Sequence, residues 1–517
     1  MGEAVRLIME PRAVSRWRFA VALICVVLTA LLIRITALDA RPMHTDEAVH
    51  ASILGEMLEG GLYRYNAQDC HGPTLYFLAW PVLKSLGATS LATLEAWQLR
   101  IIPAIIGIAN IMALCLFVRE FERFSVLAGA ALMSVAAAHV YYDRYFIHES
   151  LFLFFTLLLL ASLLRLCRDV DAGFNPGLGS TLYTAAAAGS CIALLFATKE
   201  TAIITLAAAG AAVLVAIVTA QSFTFATPWS WPWKRILLGA AVAGGCGAVI
   251  FVAFYTSFGL HIEGLTDSAR AVPRFMNRAV GEGHQKPWWT YLGWLLLPNR
   301  FSAPWAGWVL FGFSLSAAWL GWRTNAAVRF MTAFVAVNLL IYSCIPYKTP
   351  WLVLTILGPM CLLAGYGFSL VRNRYGNTAV VTALIFSCIV MMQETTRLCF
   401  RDPADDRNPY AYSPTVHDIE GISRRLDRAA AARTQNAAQP MVIYVVGADY
   451  WPLPWYLRHY PRVGYWPRLP EGREAPDAVV ASADAVEQVQ ARLGDNWVSL
   501  PFGLRPGVLV FLFVKKS

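Results

Sequence analysis

Apolar runs of about 20 residues, separated by short polar loops, fill roughly the first four hundred positions, and each can cross about 30 Å of hydrocarbon as a helix. They predict spans near 18–38, 97–118, 124–140, 149–166, 183–198, 201–220, 235–257, 304–322, 328–345, 350–370 and 377–396, about eleven in all. The first run follows Arg12, Arg16 and Arg18 and has no small-residue cleavage pattern, so it predicts a retained span. With a cytoplasmic N-terminus, the pairs Arg119/Arg123, Arg165/Arg168, Lys234/Arg235, Arg323/Arg329 and Arg372/Arg374 all fall on the cytoplasmic side, as the positive-inside rule requires. The stretch 74–86 (TLYFLAWPVLKSL) is too short to span and carries Pro81 and Lys84; it predicts a helix lying in the outer interface.

This topology sends residues 39–96, 141–148, 198–200, 258–303, 346–349 and everything after about 397 to the extracytoplasmic side. The tail changes character. "MVIYVV" (441–446), "DAVVA" (477–481) and "GVLVFLFV" (507–514) predict strands, and "ADAVEQVQARL" (483–493) a helix between the last two. The expected organisation is a transmembrane domain over 1–400, with a large first loop at 39–96, followed by a small extracytoplasmic α/β domain over 401–517. Alanine clusters such as 185–188 suit close helix packing.

Composition agrees with the pattern. The chain has 517 residues, 57% hydrophobic and 15% charged, where a soluble domain carries about a quarter charged. The formal charge of +9 does not point to nucleic acid, because much of the basic excess sits in short loops between spans. The 10 cysteines form no CxxC pair; Cys70 stands in a polar loop, and most others lie in or beside apolar runs.

The unusual polar residues gather on the extracytoplasmic side. Asp46 and Glu47 follow the first span in "MHTDEAVHA" (43–51). "QDCHGP" (68–73) shares that loop, and "YYDRYFIHES" (141–150) brings Asp143, His148 and Glu149. "ATKE" (197–200), "GHQKPWW" (283–289) and "YKTPW" (347–351) add Lys199, Glu200, His284, Lys286 and Lys348. Each has a bland reading: Asp46 and Glu47 as acids in a first helical turn, Lys199 and Lys348 as snorkelling cations, Trp288 and Trp289 as an aromatic belt. Together they favour a wet site, because ionisable groups at membrane depth are costly. Lysines suit a phosphate and a carboxylate can deprotonate a hydroxyl nucleophile. No Walker loop, GxGxxG, HExxH or GxSxG occurs, so nucleotide hydrolysis, dinucleotide redox and zinc-protease chemistry lack a motif.

The order of these motifs resembles the GT-C membrane glycosyltransferases: a first span, outward "DEAVHASILGEMLEGG" (46–61), "HGPTLYFLAW" (71–80) and a second acid in "RYFIHESLFLFF" (144–155). The sequence is similar to the branch holding protein O-mannosyltransferases and the lipid A aminoarabinose transferase. Within it, "HTDEAVHA", "HGP", "TKE", "YKTPW", "RNPYAYSPT" (407–415) and "WYLR" (455–458) look like the prokaryotic family termed flippase activity-associated.

The resemblance implies a polyprenyl-phosphate sugar donor in the cell membrane, a hexosyl or pentosyl group moved with inversion, and a lipid, glycan or protein acceptor on the outer face. Asp46 matches the family's first-loop catalytic acid, Glu47 its neighbour and Glu149 the second acidic position. Lys348, beside Tyr347, matches a basic site near the donor phosphate, with Lys199 and His71 as further candidates. His284 falls at a metal-binding histidine of the aminoarabinose transferase, so a divalent metal is a candidate cofactor, although the proposed chemistry needs none. Cys70-His71-Gly72-Pro73 departs from the family's lysine before this proline. Two other readings stay open: a lipid-linked oligosaccharide flippase or its accessory, and a non-catalytic scaffold presenting the tail.

Overall fold

The computed structural model describes residues 14–67, 71–171, 177–219, 233–280, 285–296, 306–431 and 439–516. The chain divides into two compact units. The first comprises Met1–Ala37, Leu62–Leu78 and Arg100–Arg401, and the second Leu38–Gly61, Ala79–Leu99 and Asp402–Ser517.

The first unit is helical, and the protein is a multi-pass membrane protein. Among the described residues, 8 helical stretches are long and apolar enough to cross a membrane: Arg16–Ile35, Ala96–Val135, Glu149–Asp169, Leu178–Phe196, Trp233–Tyr255, Ala326–Cys344, Pro350–Tyr375 and Asn377–Arg401. Two shorter apolar helices, Ala202–Val218 and Gly307–Gly321, accompany them. The predicted runs 97–118 and 124–140 fall in the one stretch Ala96–Val135, which is broken at Glu122 by a left-handed backbone (φ 64°). A short helix, Ala137–Tyr142, completes the second of those runs.

Burial sorts the helices. Leu354–Tyr375 is enclosed along most of its length, whereas Arg16–Ile35 and Trp233–Tyr255 expose nearly all of theirs, the expected contrast between a core helix and lipid-facing ones. The core helix touches Val118–Val135 at backbone distance: a Cβ on Gly365 would lie 2.0 Å from the Ser125 carbonyl oxygen. Small residues permit such contact where hydrophobicity alone gives helices in lipid no reason to associate. Helix ends are set locally. The Asn325 side chain accepts from the N–H groups of Ala327 and Val328 and starts Ala326–Cys344.

The tail folds as an α/β layer. Five strands, β1 (Val442–Val446), β2 (Arg462–Trp466), β3 (Ala478–Ser482), β4 (Trp497–Arg505) and β5 (Val508–Lys515), form one sheet in the order β2-β1-β3-β5-β4. β1 pairs parallel with β2 and β3, and β5 pairs antiparallel with β3 and β4. Alternate residues of β1 serve opposite faces. Ile443 and Val445 pack with Ile422 and Leu426 of the helix Glu420–Ala431, while Val442, Tyr444 and Val446 pack with Val489 of Val486–Leu493. A strand covered on both sides reads as an unbroken apolar run, which is why β1 and β3 stand out in the sequence. β2 and β4 escaped because they are edges: β2 opens with Arg462 and contains Gly464, and β4 carries Pro501 and an irregularity between Gly503 and Arg505. Part of the first loop belongs to this unit, including the helix Thr45–Leu58.

Candidate functional site

The helix Thr45–Leu58 begins with a capping box built on histidine. His44 Nδ1 accepts the Asp46 N–H at 3.1 Å, and Glu47 Oε2 accepts the His44 N–H at 3.2 Å. Arg41 donates to the same Glu47 oxygen at 3.3 Å. The two acids therefore differ in kind. The Glu47 side chain is fully buried and serves the cap, while the Asp46 side chain is 42% exposed, 4.0 Å from His44 Nδ1. Because Nδ1 accepts, the imidazole is neutral with its proton on Nε2, which donates to the Tyr412 carbonyl at 2.9 Å. Burial holds the His44 pKa below its ordinary value, against the opposing charges of Asp46 and Glu47.

In the first unit, "HGP" and "ATKE" are one structure. The Gly72 N–H donates to the Thr198 carbonyl (3.1 Å), and the Thr74 N–H and hydroxyl donate to the Ala197 carbonyl (3.0 and 2.6 Å). A Cβ on Gly72 would lie 2.1 Å from that Ala197 oxygen, so the position requires glycine. This contact aligns two ion pairs. His71 Nδ1 donates to Glu200 Oε2 at 2.9 Å, and Lys199 is paired with Glu149. His148 Nε2 donates to the Gly72 carbonyl at 3.0 Å, and the His71 and His148 rings meet edge to face. Burial pushes the Glu200 carboxyl up, but the His71 charge and hydrogen bond, with Lys199, outweigh it and hold its pKa below the ordinary value. The second oxygen of Glu149 is buried without a hydrogen-bond partner among the described residues.

Lys348 is 0% exposed, and its ammonium donates to the carbonyls of Tyr342 (3.2 Å), Ser343 (2.9 Å) and Ile345, closing the end of Ala326–Cys344. Tyr347 forms an antiparallel bridge with Gln285, and the Lys286 N–H donates to the Pro346 carbonyl at 3.0 Å. The bridge brings the Lys286 and Lys348 segments together: burial depresses the Lys348 pKa, Cys344 opposes it, and the Lys286 charge adds a smaller depression. Lys286, half-buried, stands in the sequence among the unusual polar residues, and the pairing of 285 with 347 is what joins its segment to that of Lys348.

Asp143 belongs to the scaffold. Arg34 Nε donates to it at 2.8 Å and the Ser150 hydroxyl at 2.6 Å. Arg144 donates to the carbonyls of Ile33, Arg34, Thr36 and Ala37, so it caps the first span. His284, like Cys70, lies outside the described residues. Among the described residues, no three histidine, cysteine or acidic side chains converge to hold a metal ion.

No protein-family model and no curated protein matches the sequence, so the narrower likeness to the flippase activity-associated family gains no support there. Solved structures do match. ArnT from Cupriavidus metallidurans bound to undecaprenyl phosphate superimposes with a TM-score of 0.63 at 14% identity, over 94% of this chain and 97% of that one. The archaeal oligosaccharyltransferase AglB from Archaeoglobus fulgidus, in complex with an inhibitory peptide and a dolichol-phosphate, gives 0.53 at 13% identity, over 92% and 70%. The chain has the GT-C fold of these membrane proteins.

Proposed function

We propose that the protein is a membrane glycosyltransferase that moves a sugar from a polyprenyl-phosphate donor to an acceptor on the extracytoplasmic face. The observation that carries this reading is the fold it shares, over almost its whole length, with a protein solved with undecaprenyl phosphate bound. Asp46 is the base. It takes the proton of the acceptor hydroxyl as that oxygen bonds to the anomeric carbon. The carbon–oxygen bond to phosphate breaks on the opposite face, inverting the centre, and polyprenyl phosphate leaves with the electron pair. A phosphate leaving group needs no strong acid, so cations suffice to stabilise it.

The donor phosphate binds at Lys286 and Lys348. The Gln285–Tyr347 bridge and the Lys286 N–H to Pro346 carbonyl bond bring the two lysine-bearing segments together, where two cations can meet one anion. Lys199 and His71 already face carboxylates, which makes them poorer first contacts for an anion. Glu149 holds Lys199 in place, and Glu47 holds the helix start. Tyr347, through its bridge to Gln285, holds the two lysines together. The transferred group is a hexosyl or pentosyl unit, and the acceptor a lipid, glycan or protein. The basic loops support a cytoplasmic N-terminus and an outward tail.

Purified protein in liposomes with undecaprenyl-phosphate hexoses and pentoses, plus membrane lipid and protein fractions as acceptors, tests the proposal. Release of undecaprenyl phosphate coupled to a labelled acceptor is expected. Scrambling of the donor between leaflets without transfer would establish the flippase reading instead, and neither activity across the panel the scaffold.

A further inference from the structure

The second unit wraps the start of the Thr45–Leu58 helix with two pieces of the tail that are distant in sequence. The Tyr456 hydroxyl accepts the Met43 N–H at 3.0 Å, and the Tyr412 carbonyl accepts His44 Nε2–H at 2.9 Å. Met43 is 2% exposed and His44 6% exposed, so these contacts exclude water at the N-terminal side of the helix. Tyr456 is itself anchored: its carbonyl accepts the Ser423 hydroxyl at 2.9 Å. Two residues on, Arg458 lies over the Trp455 ring and donates to the Leu94 carbonyl at 3.2 Å, fixing another segment of the first loop. "WYLR" and "RNPYAYSPT", otherwise without a role, are thus the residues that grip the helix carrying Asp46.

We propose that Tyr456 is a positioning residue for Asp46, so that the α/β tail is a working part of the transfer site rather than an appended module. The proposal rests on the reading of Asp46 as base. The line of action is short. Tyr456 fixes the Met43 peptide, and the Tyr412 carbonyl selects the His44 tautomer whose Nδ1 can accept the Asp46 N–H. Together they fix three consecutive backbone or ring contacts between Met43 and Asp46. Loss of one leaves a buried donor unsatisfied and lets the helix start shift. A displacement near 1 Å at a reacting group costs about a hundredfold in rate.

Tyr456→Phe removes only the hydroxyl. In full-length protein, with undecaprenyl-phosphate sugars as donors and active protein counted by its cooperative unfolding signal, kcat should fall about ten- to a hundredfold while donor KM stays within about twofold. A purely structural tyrosine would reduce the folded fraction and leave kcat per folded molecule unchanged; that result overturns the proposal. Should Tyr456→Phe fail to fold, Ser423→Ala loosens the same tyrosine from its carbonyl side and must show the same kcat-selective loss, or the proposal fails. The cycle with Asp46→Asn separates the two levels. In the Asp46→Asn background Tyr456→Phe should cost nothing further. An equal loss in both backgrounds refutes positioning through Asp46, whereas a fully active Asp46→Asn protein refutes the base itself.

Discussion

The adjacent acids Asp46 and Glu47 look interchangeable in sequence, and their surroundings predict opposite mutant phenotypes. Glu47 is buried, accepts the His44 N–H at 3.2 Å and faces Arg41 at 3.3 Å. Glu47→Gln preserves shape but removes the charge in both contacts. Hydrogen bonds to charged groups contribute about 1.5–3 kcal/mol, so the unit should lose about that much stability, which for a domain of this size lowers its unfolding midpoint by several degrees. Asp46 is 42% exposed and its carboxylate is outside the capping box. Asp46→Asn should therefore change stability by no more than about 0.3–1 kcal/mol, the helix-dipole contribution. Its turnover should drop about a hundred- to ten-thousandfold, because asparagine accepts no proton.

The assay pairs thermal unfolding in detergent with initial rates of undecaprenyl phosphate release at equal folded protein. Glu47→Gln is expected to be less stable yet to keep most of its turnover per folded molecule. Transfer by Asp46→Asn within about threefold of wild type would falsify the base assignment. A catalytic collapse in Glu47→Gln without loss of stability would show that the roles have been exchanged.

Four further outcomes follow from the same contacts. Lys199→Met strands the buried Glu149 carboxylate and should cost about 3–5 kcal/mol by denaturant unfolding, with the double variant Lys199→Met/Glu149→Gln recovering most of it; no recovery would mean the pair is not coupled. Lys286→Ala should weaken undecaprenyl phosphate binding about tenfold while leaving the fold intact, whereas Lys348→Met should lose stability as well, because its ammonium closes a helix end; unchanged binding in both moves the phosphate elsewhere. The folded His44 pKa lies below the unfolded value, so its contribution to stability is present above pH about 6.5 and is lost as pH falls through the folded pKa. His44→Asn, which still caps, should flatten this part of the pH dependence, and an identical profile would contradict it. Arg473→Cys, exposed in the tail, should react with an impermeant maleimide in intact cells in a background without native cysteines, and labelling only after permeabilisation would reverse the topology.

Much of the architecture was legible because it rests on periodicity. Apolar runs long enough to span announced the membrane helices, and strands buried on two faces announced β1, β3 and β5. The misses have physical causes. Edge strands such as β2 and β4 need not be continuously apolar, and Pro501 is tolerated only because β4 is an edge. The site divided similarly. That "HGP" and "ATKE" carry unusual polar residues was visible; that Gly72 brings them to backbone contact was not. Lys286 was visible as an unusual polar residue, but its nearness to Lys348 was not, because it depends on the pairing of Gln285 with Tyr347. The division of labour between Asp46 and Glu47 depends on which carboxylate turns inward to the His44 N–H, a three-dimensional fact without a spacing signature.

Counting charges along the sequence overstates how many are available for chemistry. A charge inside a helical bundle in lipid persists only if it is paired or neutralised. Arg34 with Asp143, Lys199 with Glu149 and His71 with Glu200 each meet that condition within the first unit. In each pair the two charges are committed to one another before any substrate arrives. What distinguishes a working group is an incomplete environment. Asp46 keeps a large exposed surface beside a cap that Glu47 has already completed. The mutational contrast between Asp46 and the three ion pairs is therefore the sharpest test of the mechanism. Conservative changes at the pairs should register in stability, and those at Asp46 and Lys286 in turnover and donor affinity.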